Sequence, residues 1–430
     1  MKLTVDSGQL PQGWTVATLG DICEIARGGS PRPIKNFLTN DRNGVNWIKI
    51  GDASASSKYI YETKEKIKTE GIKSSRLVGE GDFLLSNSMS FGRPYIMKTT
   101  GCIHDGWLVL TDKSNLFDQD YLYYFLGSET TYKQFDDLAA GSTVRNLNTK
   151  LVRKVRVVLP PLPEQKQIVA ILDEAFEGID RAIANTEKNL ANAREIFESY
   201  LNSVFSQKGD DWVEKKFSDV LLVQPRNGWS PPARNHSETG TPVLTLSSVT
   251  GFEFDIGKVK YTNAFTKQNA HYWLKNGEFL ITRSNTRELV GHVAICNGVK
   301  EPIICCDLIM KMRINEDKVK TRFAYWYFRT YKLRELIMSS ARGANPTMRK
   351  INKSIVQNLP LTFPYPPIQE TIINKLDNVY KETKRLEAIY QSKLKALQEL
   401  KQSILHKAFT GQLTMDKKRG KTEAENLKAS

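Results

Sequence analysis

Two segments of this 430-residue chain repeat one another without a gap: residues 159–205 align with residues 363–409. Leu159-Pro-Pro-Leu-Pro-Glu-Gln165 faces Phe363-Pro-Tyr-Pro-Pro-Ile-Gln369. Beyond these, Ile168, Leu172, Asp173, Leu190, Leu201 and Phe205 face Ile372, Leu376, Asp377, Leu394, Leu405 and Phe409. The stretches ahead of them match more loosely. Trp14-Thr-Val-Ala-Thr-Leu-Gly-Asp21 resembles Trp212-Val-Glu-Lys-Lys-Phe-Ser-Asp219, Gly81-Asp-Phe-Leu-Leu-Ser86 resembles Gly277-Glu-Phe-Leu-Ile-Thr282, and Ser30-Pro31 resembles Ser230-Pro231. A duplication of this length imposes the order globular block, helix, globular block, helix, and it excludes an array of short solenoid repeats.

After each proline cluster comes a long stretch without proline and almost without glycine. Steps of four and three from Ile168 visit Leu172, Ala175, Ile179, Ala182, Thr186, Asn189, Ala193, Ile196 and Tyr200. The same steps from Ile372 visit Leu376, Val379, Thr383, Leu386, Tyr390, Lys393, Leu397, Leu400 and Ile404. These are apolar seams at coiled-coil spacing. At about 1.5 Å per residue, each helix is on the order of 60 Å long, and pairing the two gives each seam a partner. Thr186, Asn189, Thr383 and Lys393 interrupt the seams and leave apolar groups such as Phe197 off the pairing face, to receive other subunits. Gly209 and Gly411 stand where helix-ending glycines belong. Within the blocks, Trp47–Ile50, Phe83–Leu85, Val243–Leu246 and Ile303–Cys306 read as strands, while Tyr121–Leu126 and Phe323–Tyr331 read as helices. The fold class expected is α+β. The boundaries are a first globular domain over 1–158, a helix over 159–208, a second domain over 209–362, a helix over 363–413 and a polar tail over 414–430.

The formal charge of +15 is unevenly placed, with +4 over residues 1–163 and +10 over residues 207–367, while the helical segments over 164–206 and 368–410 carry −4 and +3 and sum to −1. The blocks therefore face an anionic partner. No run of 18 apolar residues occurs, and Met1–Pro11 lacks the pattern of a signal peptide, so a cytoplasmic protein is expected. The five cysteines show no C-x-x-C pairing and read as buried thiols.

A basic window recurs in both blocks. From Leu138 to Pro163 no acidic residue occurs, and from Leu336 to Ile368 again none. The first window offers Thr143, Arg145, Asn146 and Lys150 and the second offers Arg342, Asn345, Thr347, Arg349 and Lys350, each beginning at a small flexible segment able to approach phosphates. A second pair of loops follows the matched Gly-Asp/Glu-Phe-Leu strands: Asn87, Ser88 and Arg93 in one block, Arg283, Asn285 and Arg287 in the other. Arg and Asn suit bidentate reading of guanine and adenine edges. The loops holding Arg27, Ser30 and Arg32, and Arg226 with Trp229, belong to the same group.

Ser230-Pro-Pro-Ala233 lacks the aromatic ring that an amino-methyltransferase stacks on its target base. Gly420-Lys-Thr422 lacks the earlier glycine of a phosphate loop. The five histidines are scattered, and the basic blocks show no carboxylate cluster for a nuclease metal. No catalytic or metal site is assigned.

Leu159-Pro-Pro-Leu-Pro-Glu-Gln-Lys-Gln-Ile-Val169, Gly141-Ser-Thr143 with Leu147-Asn148, and Lys407-Ala-Phe-Thr-Gly-Gln-Leu413 together resemble the specificity subunit of type I restriction-modification systems, over nearly the whole chain. The second copy departs from the pattern at Tyr365 and Ile368, and Asn345-Pro346 is inserted. The resemblance implies two target-recognition domains separated by two long antiparallel coiled-coil helices in a pseudo-twofold repeat. It also implies a non-catalytic, DNA-binding role in which each domain reads half of an asymmetric bipartite target on double-stranded DNA. The helices act as a ruler between half-sites and dock two methyltransferase subunits. The chain itself binds no cofactor; S-adenosylmethionine belongs to the methyltransferase subunits, which modify adenine, and ATP and Mg to the nuclease-translocase subunits. A free-standing DNA-binding regulator, or a helical scaffold for another acidic partner, stays open. Unlike reading loops on like helices favour a bipartite, non-palindromic target.

Overall fold

The computed structural model describes residues 10–54, 58–87, 91–113, 115–140 and 146–414. Its two long helices run Leu162–Ser206 and Pro366–Phe409. The chain divides into two compact units. One comprises the described residues up to Thr186 and those from Ser392 onward; the other comprises Glu187–Gln391. Each unit thus holds one globular block and a part of each long helix.

In the first unit, a five-stranded sheet is ordered Cys23–Arg27, Trp107–Asp112, Phe83–Ser86, Pro94–Met97 and Tyr59–Ile60. A second five-stranded sheet carries Val45–Ile48 at its centre. Helices Gln119–Leu126 and Glu129–Ala139 cover the first sheet, and Tyr121, Leu122 and Phe125 share one core with Ile168 and Leu172 of the first long helix and with Leu405, Ala408 and Phe409 of the second. Residue 409 lies by 168–172 and Lys401 donates to Asp180 at 2.5 Å, so the helices are antiparallel here. Burial of such rings contributes about 1.5–3 kcal/mol each and fixes the block on the helices.

The second unit repeats the plan with a four-stranded sheet ordered Leu221–Asn227, Ile309–Ile314, Phe279–Thr282 and Val293–Ile295. Helices Thr321–Arg329 and Tyr331–Ser340 lie on it. Phe205 takes the place that Phe409 has in the first unit, with ring centroids 5.3 Å from Phe323 and 5.4 Å from Tyr327. Arg194 meets Glu387 at 2.9 Å and Phe197 meets Tyr380 at 5.1 Å, again an antiparallel pairing.

The proline-cluster motif now has a physical meaning. The strand leading into each long helix pairs with the strand that opens its block, Arg156–Leu159 with Thr15–Thr18 and Pro360–Phe363 with Val213–Lys216. One turn into the helix, the fully buried Gln165 accepts from Asp118 N at 2.7 Å and donates to Leu116 O at 2.9 Å and Pro160 O at 2.8 Å. Gln369 makes the same three bonds, from Lys320 N at 2.8 Å and to Lys318 O at 3.0 Å and Pro364 O at 2.7 Å. The matched aspartates do likewise: Asp173 accepts from the Tyr124 hydroxyl, and Asp377 from Arg322 Nε and Trp326 Nε1.

Two expectations are corrected. The seam slips by one residue after Thr186, so Leu190 is half-buried and Asn189 exposed, while Phe197 is only 2% exposed and Ile196 is 66% exposed. Phe197 therefore packs on Trp326 and Tyr380 and is not a docking residue for other subunits. On the second helix Leu394 is half-buried and Lys393 exposed. A four-four step in place of four-three moves the seam this way. The polar Thr186 and Thr383 stay buried because each hydroxyl bonds the carbonyl four residues back. Ile303–Cys306 is not a strand; only Ile304 bridges, to Val243 and Trp273.

Candidate nucleic-acid interface

In each unit the loops singled out by sequence converge on one turn. In the first unit that turn is His104–Trp107. Gly28 N donates to Trp107 O at 2.9 Å and Arg27 Nε to Asp105 O at 2.9 Å. Ser30 Oγ donates to Asp105 Oδ1 at 2.7 Å, and Asp105 N returns a bond to Ser30 Oγ at 3.4 Å. From the second loop, Asn87 N reaches Gly106 O at 3.0 Å and its Nδ2 donates to Asp105 O at 2.8 Å. The basic window joins through Leu147 N, which donates to Asn87 O at 2.8 Å.

The second unit builds the same junction on Cys305–Ile309. Gly228 N donates to Ile309 O at 3.0 Å, Ser230 Oγ donates to Asp307 Oδ1, and Asp307 N donates to Ser230 Oγ at 3.2 Å. Arg283 N donates to Leu308 O at 2.8 Å and its Nη1 to Asp307 O at 3.3 Å. The basic window enters through Ile351 N to Arg283 O at 2.9 Å, and Ser284 and Asn285 pair with Lys350 and Arg349 as a short antiparallel ladder. Neither approach tolerates a side chain at the glycine. A Cβ on Gly28 falls 2.2 Å from His104 O, and one on Gly228 falls 2.0 Å from Cys305 O.

The side chains chosen by sequence divide into two kinds. Arg27, Arg32, Arg93, Asn146, Lys150, Arg226, Arg287, Arg342, Asn345, Thr347 and Lys350 are exposed. Others have their polar atoms engaged within the loops. Asn87 is 1% exposed and braces the turn, Arg283 holds Asp307 O, and Trp229 stacks on Tyr272 at 5.0 Å. Ser30 and Arg349 are half-buried, Arg349 donating to Gly343 O at 2.7 Å, and Asn285 Nδ2 reaches Thr250 Oγ1 at 3.4 Å. Asn345 Oδ1 accepts from Thr347 N and Oγ1, so this pair also shapes its own loop. Ser88, Thr143 and Arg145 lie outside the described residues.

Sequence reasoning missed Asp105 and Asp307. The signal was available, since each stands just before the matched strands Trp107–Asp112 and Ile309–Ile314. The Ser30 hydroxyl holds the Asp105 carboxyl below its ordinary range, against a smaller opposing effect of burial. Arg334 was missed as well: it lies buried under the loop after Arg283, with Nη2 on Glu288 O at 2.9 Å, and burial pulls its guanidinium down to about 10.

The family model for the type I restriction modification DNA specificity domain matches residues 11–191 and again 209–396. The chain belongs to this family. It is similar to the EcoKI specificity subunit of Escherichia coli K12, 22% identical over 95% of this chain and 91% of that protein, and to the StySPI specificity subunit of Salmonella potsdam, 21% identical over 95% and 91%. In fold it resembles a chain from a solved type I R-M system, with a TM-score of 0.76, 19% identity and coverage of 94% of this chain and 99% of that one. The HsdS subunit of Thermoanaerobacter tengcongensis gives a TM-score of 0.54 at 18% identity, covering 94% and 98%. The chain is accordingly a DNA sequence-specificity subunit of the type I class, a recognition component and not a catalytic one. Duplication of the matched region is the repeat seen in the sequence.

Proposed function

We propose that each loop cluster docks on one half of an asymmetric bipartite site in double-stranded DNA. The observation that carries this is the recurrence of one internal scaffold, built on Gly28, Ser30 and Asp105 or Gly228, Ser230 and Asp307, beneath unlike exposed side chains. Arg32, Arg93, Asn146 and Lys150 contact one half-site; Arg226, Arg287, Arg342, Thr347 and Lys350 contact the other. Arg and Lys here supply phosphate contacts and guanine reading, and Asn and Thr supply adenine and thymine contacts. The domains keep the boundaries 1–158 and 209–362. The long helices, which contribute residues to both units, set the unspecified gap, and their exposed faces dock two methyltransferase subunits. Those subunits hold S-adenosylmethionine, and nuclease-translocase subunits hold ATP and Mg. Among the described residues no helix is long and apolar enough to cross a membrane, and the complex works on DNA in the cytoplasm.

Methylome sequencing of the host with and without this gene tests the reading. A single two-part methylated motif should vanish on deletion, and exchanging residues 209–362 for those of another family member should replace only one half of it. A four-residue insertion near Ser203 should change the gap and leave both halves intact. An unchanged methylome after deletion refutes the proposal.

A further inference from the structure

A carboxylate stands at the centre of both basic loop clusters. Asp105 and Asp307 occupy the same place in the two units, each bonded to the serine of the glycine loop in both directions. Asp105 is not hidden: its side chain is 43% exposed, its carboxylate lies 3.8 Å from Arg32 on an arm that is itself 84% exposed and 3.7 Å from His104 Nδ1, whose ring burial holds toward the neutral form, and Arg27 uses its Nε on the Asp105 carbonyl. Asp307 is also partly open. An ionised carboxylate is an acceptor-only group, and on a surface that meets a polyanion it repels every phosphate brought close. The exposed side chains around the junction differ between the units while this Ser–Asp pair does not, so the pair serves something that both half-sites share and not the identity of one base.

Resting on the proposed DNA-reading role, we propose that Asp105 and Asp307 are specificity-determining residues that act by exclusion. When a domain lies in register, the carboxylate faces base edges in the groove, away from the phosphates. When it lies out of register, the loops slide onto the backbone, and the fixed negative charge weakens that complex. Specificity is a difference of affinities, and penalising the wrong complex raises it as surely as improving the right one.

The test uses the full chain assembled with its methyltransferase subunits, and the variants Asp105→Asn and Asp307→Asn, in which an amide oxygen still accepts from Ser30 or Ser230. Affinity is measured by fluorescence anisotropy on a duplex carrying the methylated motif and on an equal-length duplex lacking both halves, across a salt series. Each Asn variant should bind the non-target duplex about three- to tenfold tighter and the target within about twofold of the parent, with the difference fading as salt rises. Asp105→Glu, which keeps the charge, should leave non-target binding as in the parent. Loss of target affinity with non-target binding unchanged means that the carboxylate accepts a base amino group, and overturns exclusion. Equal weakening on both duplexes, or no change on either, overturns it too. A parent that does not prefer the target refutes the DNA-reading role itself and is seen without any variant.

Discussion

Replacing Gln165 with leucine should unhinge the first recognition domain from the long helices. The amide is fully buried and makes three bonds, to Asp118 N, Leu116 O and Pro160 O. Leucine has similar volume but no donor or acceptor, so three backbone groups lose their partner at once. A stranded buried group costs about 1–3 kcal/mol, and since Leu116 lies near solvent and can rehydrate, a total of about 3–5 kcal/mol is expected. For a unit of this size each kcal/mol lowers the midpoint by about 2–4 °C, giving a fall of about 6–20 °C. Gln165→Glu should cost at least as much, because it keeps the bond from Asp118 N but sets a buried carboxylate oxygen against two carbonyls unless it takes up a proton. Scanning calorimetry resolves the consequence: the transition of the first unit moves, that of the second stays, and Gln369→Leu does the reverse. A shift below about 2 °C for Gln165→Leu would show that the motif is not held by its glutamine.

Alanine at Lys150, Arg342 or Lys350 should each lower the slope of log affinity against log salt by about 1 with little change in motif preference; an unchanged slope for the triple variant misplaces the phosphate contacts. Gly28→Ala puts a methyl 2.2 Å from His104 O and should abolish methylation at the parental motif while Gly79→Ala, with nothing within 4 Å, does not. The His292 ring accepts from Gly251 N at 2.9 Å and stacks on Phe252 at 4.1 Å, and burial, assisted by Arg334, pulls its pKa from 6.5 to about 4. The unfolded chain binds the extra proton first, so stability is full above pH about 6.5 and falls by up to about 1.4 kcal/mol per unit down to pH about 4. Urea unfolding across that window should show the loss in the second unit, and His292→Gln should flatten it.

What the sequence made legible was periodic or duplicated. The two long helices, the block order and the entry motif all followed from matching residues 159–205 to 363–409. The seam register did not follow, because steps of four and three extrapolated past Thr186 land on Asn189 and Ile196 while the packing continues through Leu190 and Phe197. Nothing local distinguishes the two tracks, since both contain apolar residues. The choice is made by partners far away in sequence, Trp326 and Tyr380, which touch each other and both pack against Phe197. Ile303–Cys306 failed for a related reason: its β-branched residues fit a strand, but its backbone donates singly to two separate segments, Ile304 N to Pro242 O and Cys305 N to Tyr272 O, and makes no ladder.

For the interface, residue type picked out loops that the fold brings together, but it did not separate exposed side chains from those bonded within the loops. Arginine and asparagine are suited to bases, yet Asn87 and Arg283 spend those same donors on the carbonyls of Asp105 and Asp307. The duplication itself separates the two uses. Positions that match between the halves, such as Gly28 with Gly228, Ser30 with Ser230, Gln165 with Gln369 and Asp173 with Asp377, have their polar atoms occupied inside their unit or admit no side chain at all. Positions that differ at the rim, such as Arg32, Lys150 and Arg287, are exposed on the same scaffold. A protein that reads two unlike half-sites with one fold has to divide its residues in this way, because any side chain needed to hold the loops cannot change with the bases being read. The exposed residues that do not match are therefore where a change in the base preferred should arise, and the buried matched ones, Gln165 and Gln369 among them, are where substitutions should cost stability in either unit.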